Sequence, residues 1–352
     1  MLSVDIKKRL GNFGLNVEFE TGDGVLALLG ASGCGKSMTL KCIAGVETPD
    51  EGRIVLNGRV LFDSKQRINL PPQQRRVGYL FQSLALFPQM TVRQNIGAGV
   101  RSKDKEERER IIDEKIKSFY LTGLGHKYPS QLSGGQQQRA ALARMLASDP
   151  EAVLLDEPFS ALDSYLRWQL EQELFAVLEP FSGASVYVSH NRDEAYRLCD
   201  TVCLIDNGTS QEVTDLKSLL ERPKTLSAAL LAGIKNFSRA KRVDGNRILA
   251  LDWAVELDCA NTIPPDITLI GVHAHRFTPC GDGEPNAIVC RVQRVTEDTN
   301  RAIVLLYPLS STGEGDYTRI RLEMPKENAA NLHRGEELCV HVDAADILLL
   351  RE

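Results

Sequence analysis

Eight consecutive residues, Gly30-Ala31-Ser32-Gly33-Cys34-Gly35-Lys36-Ser37, have the types and spacing of a loop that grips phosphate. The glycines let the backbone turn tightly and bring its N–H groups onto an anion's oxygens. Lys36 adds an ammonium for the terminal phosphates of ATP, and the Ser37 hydroxyl is an oxygen ligand for Mg²⁺. The pattern carries this reading only between a strand and a helix. Val25 to Leu29 is the short apolar run of a buried parallel strand, and residues 37–44 have helical periodicity. The start of that helix adds its dipole to the anion site. Cys34 reads as a spacer, with a thiol placed where alkylation would impair ATP turnover and nucleotide would protect it.

A second apolar run, Val153 to Leu155, ends in Asp156-Glu157-Pro158. Asp156 falls at the carboxyl end of a strand beside the phosphate loop, where it can hold Mg²⁺ through water. Glu157 points into the cleft and can polarise an attacking water, an effect worth about 10²–10⁴ in rate. Between the two motifs, Leu132-Ser133-Gly134-Gly135-Gln136 opens another helix, a second anion-binding N-terminus. One chain cannot easily aim two such ends at one phosphate. The natural use is in trans, each copy of a dimer offering residues 132–136 to the phosphate held by the other.

The elements that must position these groups alternate strand and helix: 153–156, a helix near 164–179, 184–189, a helix near 191–198, then 201–206. That order predicts a mostly parallel sheet covered on both faces. The first 25 or so residues alternate apolar and polar, and 53–63 carries an Asn57-Gly58 turn, so both segments read as antiparallel strands. Residues 101–119 are charged with an apolar stripe, a solvated amphipathic helix. Near 231–235 the pattern changes to short β-like runs separated by Gly, Pro, Asn and Asp, which predicts an all-β domain of one or two small barrels.

Composition bounds the rest. With 352 residues, 43% hydrophobic and 25% charged, the chain is ordinary globular protein of two or three domains, neither disordered nor collagenous. A net charge of −5 argues against a protein that coats nucleic acid. No apolar run approaches the roughly 18 residues of a membrane span, and MLSVDIKKRL lacks the apolar centre of a signal peptide. The eight cysteines then read as reduced cytosolic thiols; Cys199 and Cys203 stand four apart with no second pair or His cluster to complete a zinc set.

The phosphate loop, Gln82 in YLFQ, LSGGQ, LLDEP, SALD (160–163) and VSH (188–190) stand in the order and spacing of an ABC-transporter ATPase subunit, which residues 1–230 resemble. The resemblance implies an α/β P-loop ATPase domain over 1–231, with an antiparallel β subdomain and a helical insert at about 90–135, followed by a small all-β, oligomer-binding-type barrel over 232–352. It implies that Gln82 touches Mg²⁺ and the lytic water, that Asp163 joins two copies, and that His190 contacts the γ-phosphate. Phe13 is the best-placed residue to stack on adenine. With no span of its own, such a subunit works at the cytoplasmic face of the inner membrane with permease subunits, a second copy of itself and, indirectly, a solute-binding protein. Phe87-Pro88 would lie at the groove for a permease helix. RLGNFGLNVEFE (9–20), NAIVCRVQRV (286–295) and HRGEELCVHVDAADILLL (333–350) look like molybdate-transport ATPases. FQSLALFP is shared with sulfate, iron and polyamine members, which with sugar importers remain rival readings. Soluble ABC ATPases of ribosomes or DNA repair usually carry two cassettes or a coiled-coil insert, and this chain has neither. His273, His275 and Arg276 are not assigned to an oxyanion.

Overall fold

The computed structural model describes residues 1–159, 164–179, 181–281, 283–299, 301–311, 313, 315 and 317–351. They form two compact units, Met1–Leu216 and Lys217–Glu352.

In the first unit, β1 (Leu2–Leu10) and β2 (Phe13–Thr21) pair antiparallel, and their alternation puts Val4, Ile6, Val17 and Phe19 on one buried face. After β3 (Val25–Leu29) and α1 (Lys36–Ala44) come β4 (Glu51–Leu56) and β5 (Arg59–Asp63). Their turn has Asn57 at φ 50 and Gly58 at φ 78, the two left-handed residues whose twist suits a two-residue hairpin. β6 (Ile68–Asn69) extends this antiparallel edge, and α2 (Pro72–Arg75) leads to β7 (Val77–Leu80).

The helical insert follows. α3 (Val92–Gly99) starts in a capping box between Thr91 and Gln94. α4 (Lys105–Ser118) is capped by Asp104 and buries Ile112 and Ile116 beneath an otherwise charged surface. α5 (Gly134–Leu146) then returns the chain to β8 (Ala152–Asp156). α6 (Ser164–Leu178), β9 (Ala184–Val188), α7 (Arg192–Leu198) and β10 (Thr201–Asp206) complete the alternation, with the short β11 (Thr209–Ser210) and β12 (Thr214–Asp215) at its end. The parallel order is β7-β8-β9-β3-β10. β3, β8 and β9 are buried at every residue, which is why they read as unbroken apolar runs.

A buried cation fixes the far end of α1. Arg75 is fully buried and donates to the carbonyls of Cys42 (2.8 Å), Ile43 (2.9 Å) and Leu70 (2.7 Å) and to Asn69 Oδ1 (2.8 Å). It adds a donor to carbonyls at the end of α1, where the Cys42 carbonyl also accepts from the Gly45 N–H (3.2 Å), and sits where the helix dipole favours positive charge. Burial pushes its pKa down. Gly45, at φ 78, leaves the room: a Cβ there would lie 2.5 Å from Arg75 Nε. Arg75→Ala should lower the unfolding free energy of this unit by about 3 kcal/mol in urea denaturation, since several buried acceptors lose their donor. Lys should restore only part, because one ammonium cannot span that fork. A loss below about 0.5 kcal/mol for Ala, the range of ordinary surface changes, would show that the carbonyls find other donors.

α8 (Leu216–Glu221), whose first residue closes the first unit, and α9 (Leu226–Leu231) open the second. β13 (Asn236–Arg242), β14 (Arg247–Ala250), β15 (Val255–Asp258), β16 (Leu269–Val272), β17 (Phe277–Pro279), β18 (Ala287–Glu297), β19 (Arg301–Pro308), β20 (Ile320–Pro325), α10 (Lys326–Ala329), β21 (Glu337–Val342) and β22 (Leu348–Leu350) follow. They make two antiparallel five-stranded sheets, β15-β14-β13-β16-β22 and β17-β21-β18-β19-β20. Ile248 and Ile270 of one and Ile288, Val304 and Ile320 of the other share a single barrel-like core. The buried Asn236 amide ties the sheets together, donating to the Arg321 carbonyl (2.9 Å) and accepting from the Arg321 N–H (2.6 Å). β13 starts at Asn236, just after the change of pattern read near 231–235, whereas the compact units divide earlier, after Leu216. The two short helices before β13 were not foreseen, and α9 packs Ala229 against Leu269 and Leu350 of the second unit.

Candidate active site

Parallel strands deliver their carboxyl ends to one edge of the sheet, and the chemistry-bearing residues of the first unit lie there. β3 runs into Gly30 at φ 151, where a Cβ would fall 2.1 Å from the Ile205 carbonyl of β10 and 2.8 Å from Cys34 Sγ. Only glycine passes that point. Gly35, at φ 110, caps α1, and a Cβ there would press on Leu15 at 2.4 Å. At Gly33, φ 80, the surroundings are open. The loop is therefore tight at both ends and clear at the centre. Ala31 and Ser32 are exposed on it.

Lys36 is 6% exposed and folds back over the loop, donating to the carbonyls of Gly30 (2.9 Å) and Ala31 (2.8 Å), with Cys34 Sγ at 3.6 Å. Cys34 is 5% exposed. The alkylation expectation is corrected on that point: in this conformation a reagent must first displace the loop.

Ser37 Oγ donates to Asp156 Oδ1 at 2.8 Å, and the Tyr79 hydroxyl of β7 donates to Oδ2 at 2.9 Å. Both oxygens of the buried Asp156 are thereby aimed. Burial, then the Asp156 charge, push the Tyr79 pKa up, so the phenol stays a donor. Immediately after β8, Glu157 adopts φ 46 and donates its N–H to the Val188 carbonyl (3.0 Å). A non-glycine residue here is costly and re-aims the side chain off the strand axis. Its carboxylate meets Gln82 Nε2 at 3.2 Å and His190 Nδ1 at 3.5 Å. Gln82, Glu157 and His190 thus come from the ends of the neighbouring strands β7, β8 and β9.

His190 sits in a braced segment. Buried Glu194 accepts from the hydroxyls of Tyr187 (2.9 Å) and Ser189 (2.7 Å) and from Asn191 Nδ2 (3.2 Å), with Arg167 at 3.6 Å. Tyr79, Tyr187 and Glu194 escaped the sequence reading. Glu194 left one trace: Asn191-x-x-Glu194 is a helix-start pattern, and Asn191 does cap α7.

Ser133 and Gln136 form the capping box of α5, Ser133 N donating to Gln136 Oε1 (3.1 Å) and Gln136 N to Ser133 Oγ (3.3 Å). Gly134 is exposed and Gly135 buried. Among the described residues no hydrogen bond joins 133–136 to 30–37. Phe13 is half-buried, its ring tip 3.5 Å from where a Gly35 Cβ would sit. Asp163 lies outside the described residues. A loop of glycines and a lysine, paired oxygen donors and a carboxylate held between an amide and an imidazole suit one reaction class, phosphoryl transfer to water.

Residues 14–160 match the ABC transporter family model. Over 223 residues the chain is 40% identical to the molybdenum import ATP-binding protein ModC of Paramagnetospirillum magneticum, covering 63% of this chain and 61% of that protein. It is 41% identical over 249 residues to the sulfate/thiosulfate import ATP-binding protein CysA of Caulobacter vibrioides, covering 68% and 70%. Import proteins named for Fe(3+) ions and for spermidine/putrescine match at 43% and 39%. The alignments with the molybdenum and iron relatives span 61% and 63% of those proteins' lengths. Among solved structures, a dimeric post-hydrolysis state of the ATP-binding cassette MJ0796 bound to ADP and Pi superposes with TM-score 0.52 at 28% identity, covering 61% of this chain and 99% of that one.

Proposed function

The chain belongs to the ABC-transporter family of ATP-binding proteins, and from that premise we propose that it hydrolyses ATP to drive import of molybdate, or a related tetrahedral oxyanion, through separate permease subunits. The observation that carries the ATP-hydrolysis part of this reading is the convergence of Gln82, Glu157 and His190 from three adjacent strand ends beside Lys36, Ser37 and Asp156; the choice of molybdate rests on the likeness of residues 9–20, 286–295 and 333–350.

Mg²⁺ suits the residues present: Ser37 Oγ and Asp156 Oδ1, 2.8 Å apart, are hard oxygen donors, and Gln82 Oε1 is a third. Ser37, Asp156 and Gln82 would hold it, and when bound it supplies charge neutralisation on the phosphates. Lys36 exchanges its two loop carbonyls for phosphate oxygens. The backbone N–H groups of residues 31–37 orient the same oxygens. Glu157 accepts the proton of the attacking water, while Gln82 and His190 hold its carboxylate in line. Phe13 offers a face for adenine. Residues 133–136, with Asp163, serve the site of a second copy, so two chains close over two nucleotides.

Residues 1–231 act as the nucleotide-binding domain, peripheral to the cytoplasmic face of the inner membrane, and 232–352 as a regulatory β domain. No helix among the described residues is long and apolar enough to cross a membrane. Phe87 and Met90, 46% and 38% exposed in the segment between β7 and α3, offer the permease an apolar contact at the edge of the helical insert. A solute-binding protein presents the cargo to the permease.

The test is ATP hydrolysis by the chain reconstituted with its permease, with binding protein loaded by molybdate, tungstate or sulfate. Stimulation by molybdate is expected. Intact basal hydrolysis that no oxyanion stimulates would overturn the oxyanion and favour the iron, polyamine or sugar reading, to the first two of which the relatives' similar identities give weight.

A further inference from the structure

In the second unit, β17 and β21 run antiparallel with Thr278 opposite His341 and Pro279 opposite Val340. One step further brings Cys280 opposite Cys339, and the Cys280 N–H donates to the Cys339 carbonyl at 3.0 Å. Directly opposed residues of a hydrogen-bonded antiparallel pair have Cα atoms about 5.5 Å apart, within the span a disulfide needs. The two Sγ atoms are 3.1 Å apart. Strand alternation sets their face. Val340 and Val342 point into the core, whereas Cys339 lies across from Val289, 43% exposed, on the outer side. Both residues are partly exposed.

We propose that Cys280 and Cys339 are a reversible dithiol–disulfide pair, oxidised by low-molecular-weight disulfides. One thiol gives up its proton and attacks the small disulfide, forming a mixed disulfide and releasing one small thiol. The second, also deprotonated, attacks the protein-side sulfur of that bond and expels the other small thiol. Two protein S–H bonds become one S–S bond, and one S–S bond of the oxidant becomes two S–H bonds. Two electrons pass to the oxidant.

The fold makes this pair selective. Cys290, one strand over, is buried on the core side, where burial pushes its thiol up to about 12. Burial likewise raises Cys203 to about 12 and Cys42 and Cys259 to about 11, so these four stay protonated and poorly nucleophilic.

The test takes the reduced full chain, incubates it with glutathione disulfide, blocks remaining thiols and maps the peptides without reduction. Of the eight thiols, two should disappear, and a peptide containing Cys280 should be found linked to one containing Cys339, lighter by two hydrogens. Dithiothreitol should restore both. C280S should abolish the link and instead accumulate glutathione on Cys339, whereas C290A should form the link as the native chain does. An undiminished thiol count, a different pairing, or glutathione stably retained on both residues of the native chain would overturn the proposal.

Discussion

Replacing Glu157 by Gln should lower ATP hydrolysis by about 10²–10⁴ while leaving nucleotide binding intact, the range over which a positioned base contributes to rate. The substitution is nearly isosteric, and the hydrogen bond from the residue 157 N–H to the Val188 carbonyl is backbone and survives it. What is lost is an acceptor for the water's proton, flanked by Gln82 at 3.2 Å and His190 at 3.5 Å. Because binding and proton transfer rest on different residues, the variant should hold ATP and trap the closed pair of chains. Phosphate release in a single turnover and nucleotide affinity by titration separate the two effects. Hydrolysis near the wild-type rate would remove Glu157 as the base.

Lys36→Met should have the opposite profile. The ammonium stands over the loop on two carbonyls, so it is already aimed at the space that phosphates would enter. Charge-assisted hydrogen bonds contribute about 1.5–3 kcal/mol each, so losing one should weaken ATP affinity by about 10- to 150-fold. Met keeps the apolar stem, and the unfolding midpoint should change little. Unchanged affinity would show that the loop's N–H groups alone hold the nucleotide.

The parts of this site that were legible in the sequence are those whose chemistry is local. Residues 30–37 declare themselves because strand, glycines, lysine and helix are contiguous, and Asp156-Glu157 because an acidic pair ends an apolar strand. The rest depends on pairings between segments that no local pattern encodes. Tyr79 reaches Asp156 across 77 positions, and Arg75 reaches Cys42 across 33. Each is an ordinary residue until the sheet order sets β7 beside β8 or α2 beneath α1. Glu194 reads as an acidic first-turn residue of a helix, and only tertiary packing turns it inward under Ser189. The same holds for Cys280 and Cys339, 59 positions apart, whose opposition depends on the register of β17 on β21. The helices before β13 went unread because their six residues each are too few to show a period.

The central claim, an ATPase whose site is completed by a second copy, is tested most directly by phosphate release from MgATP by the full chain alone, measured against chain concentration. Specific activity should rise with concentration and then level off, and Ser133→Arg should abolish the hydrolysis without changing ATP affinity. No hydrolysis at any concentration, or a specific activity that is constant with concentration and indifferent to Ser133→Arg, would contradict it.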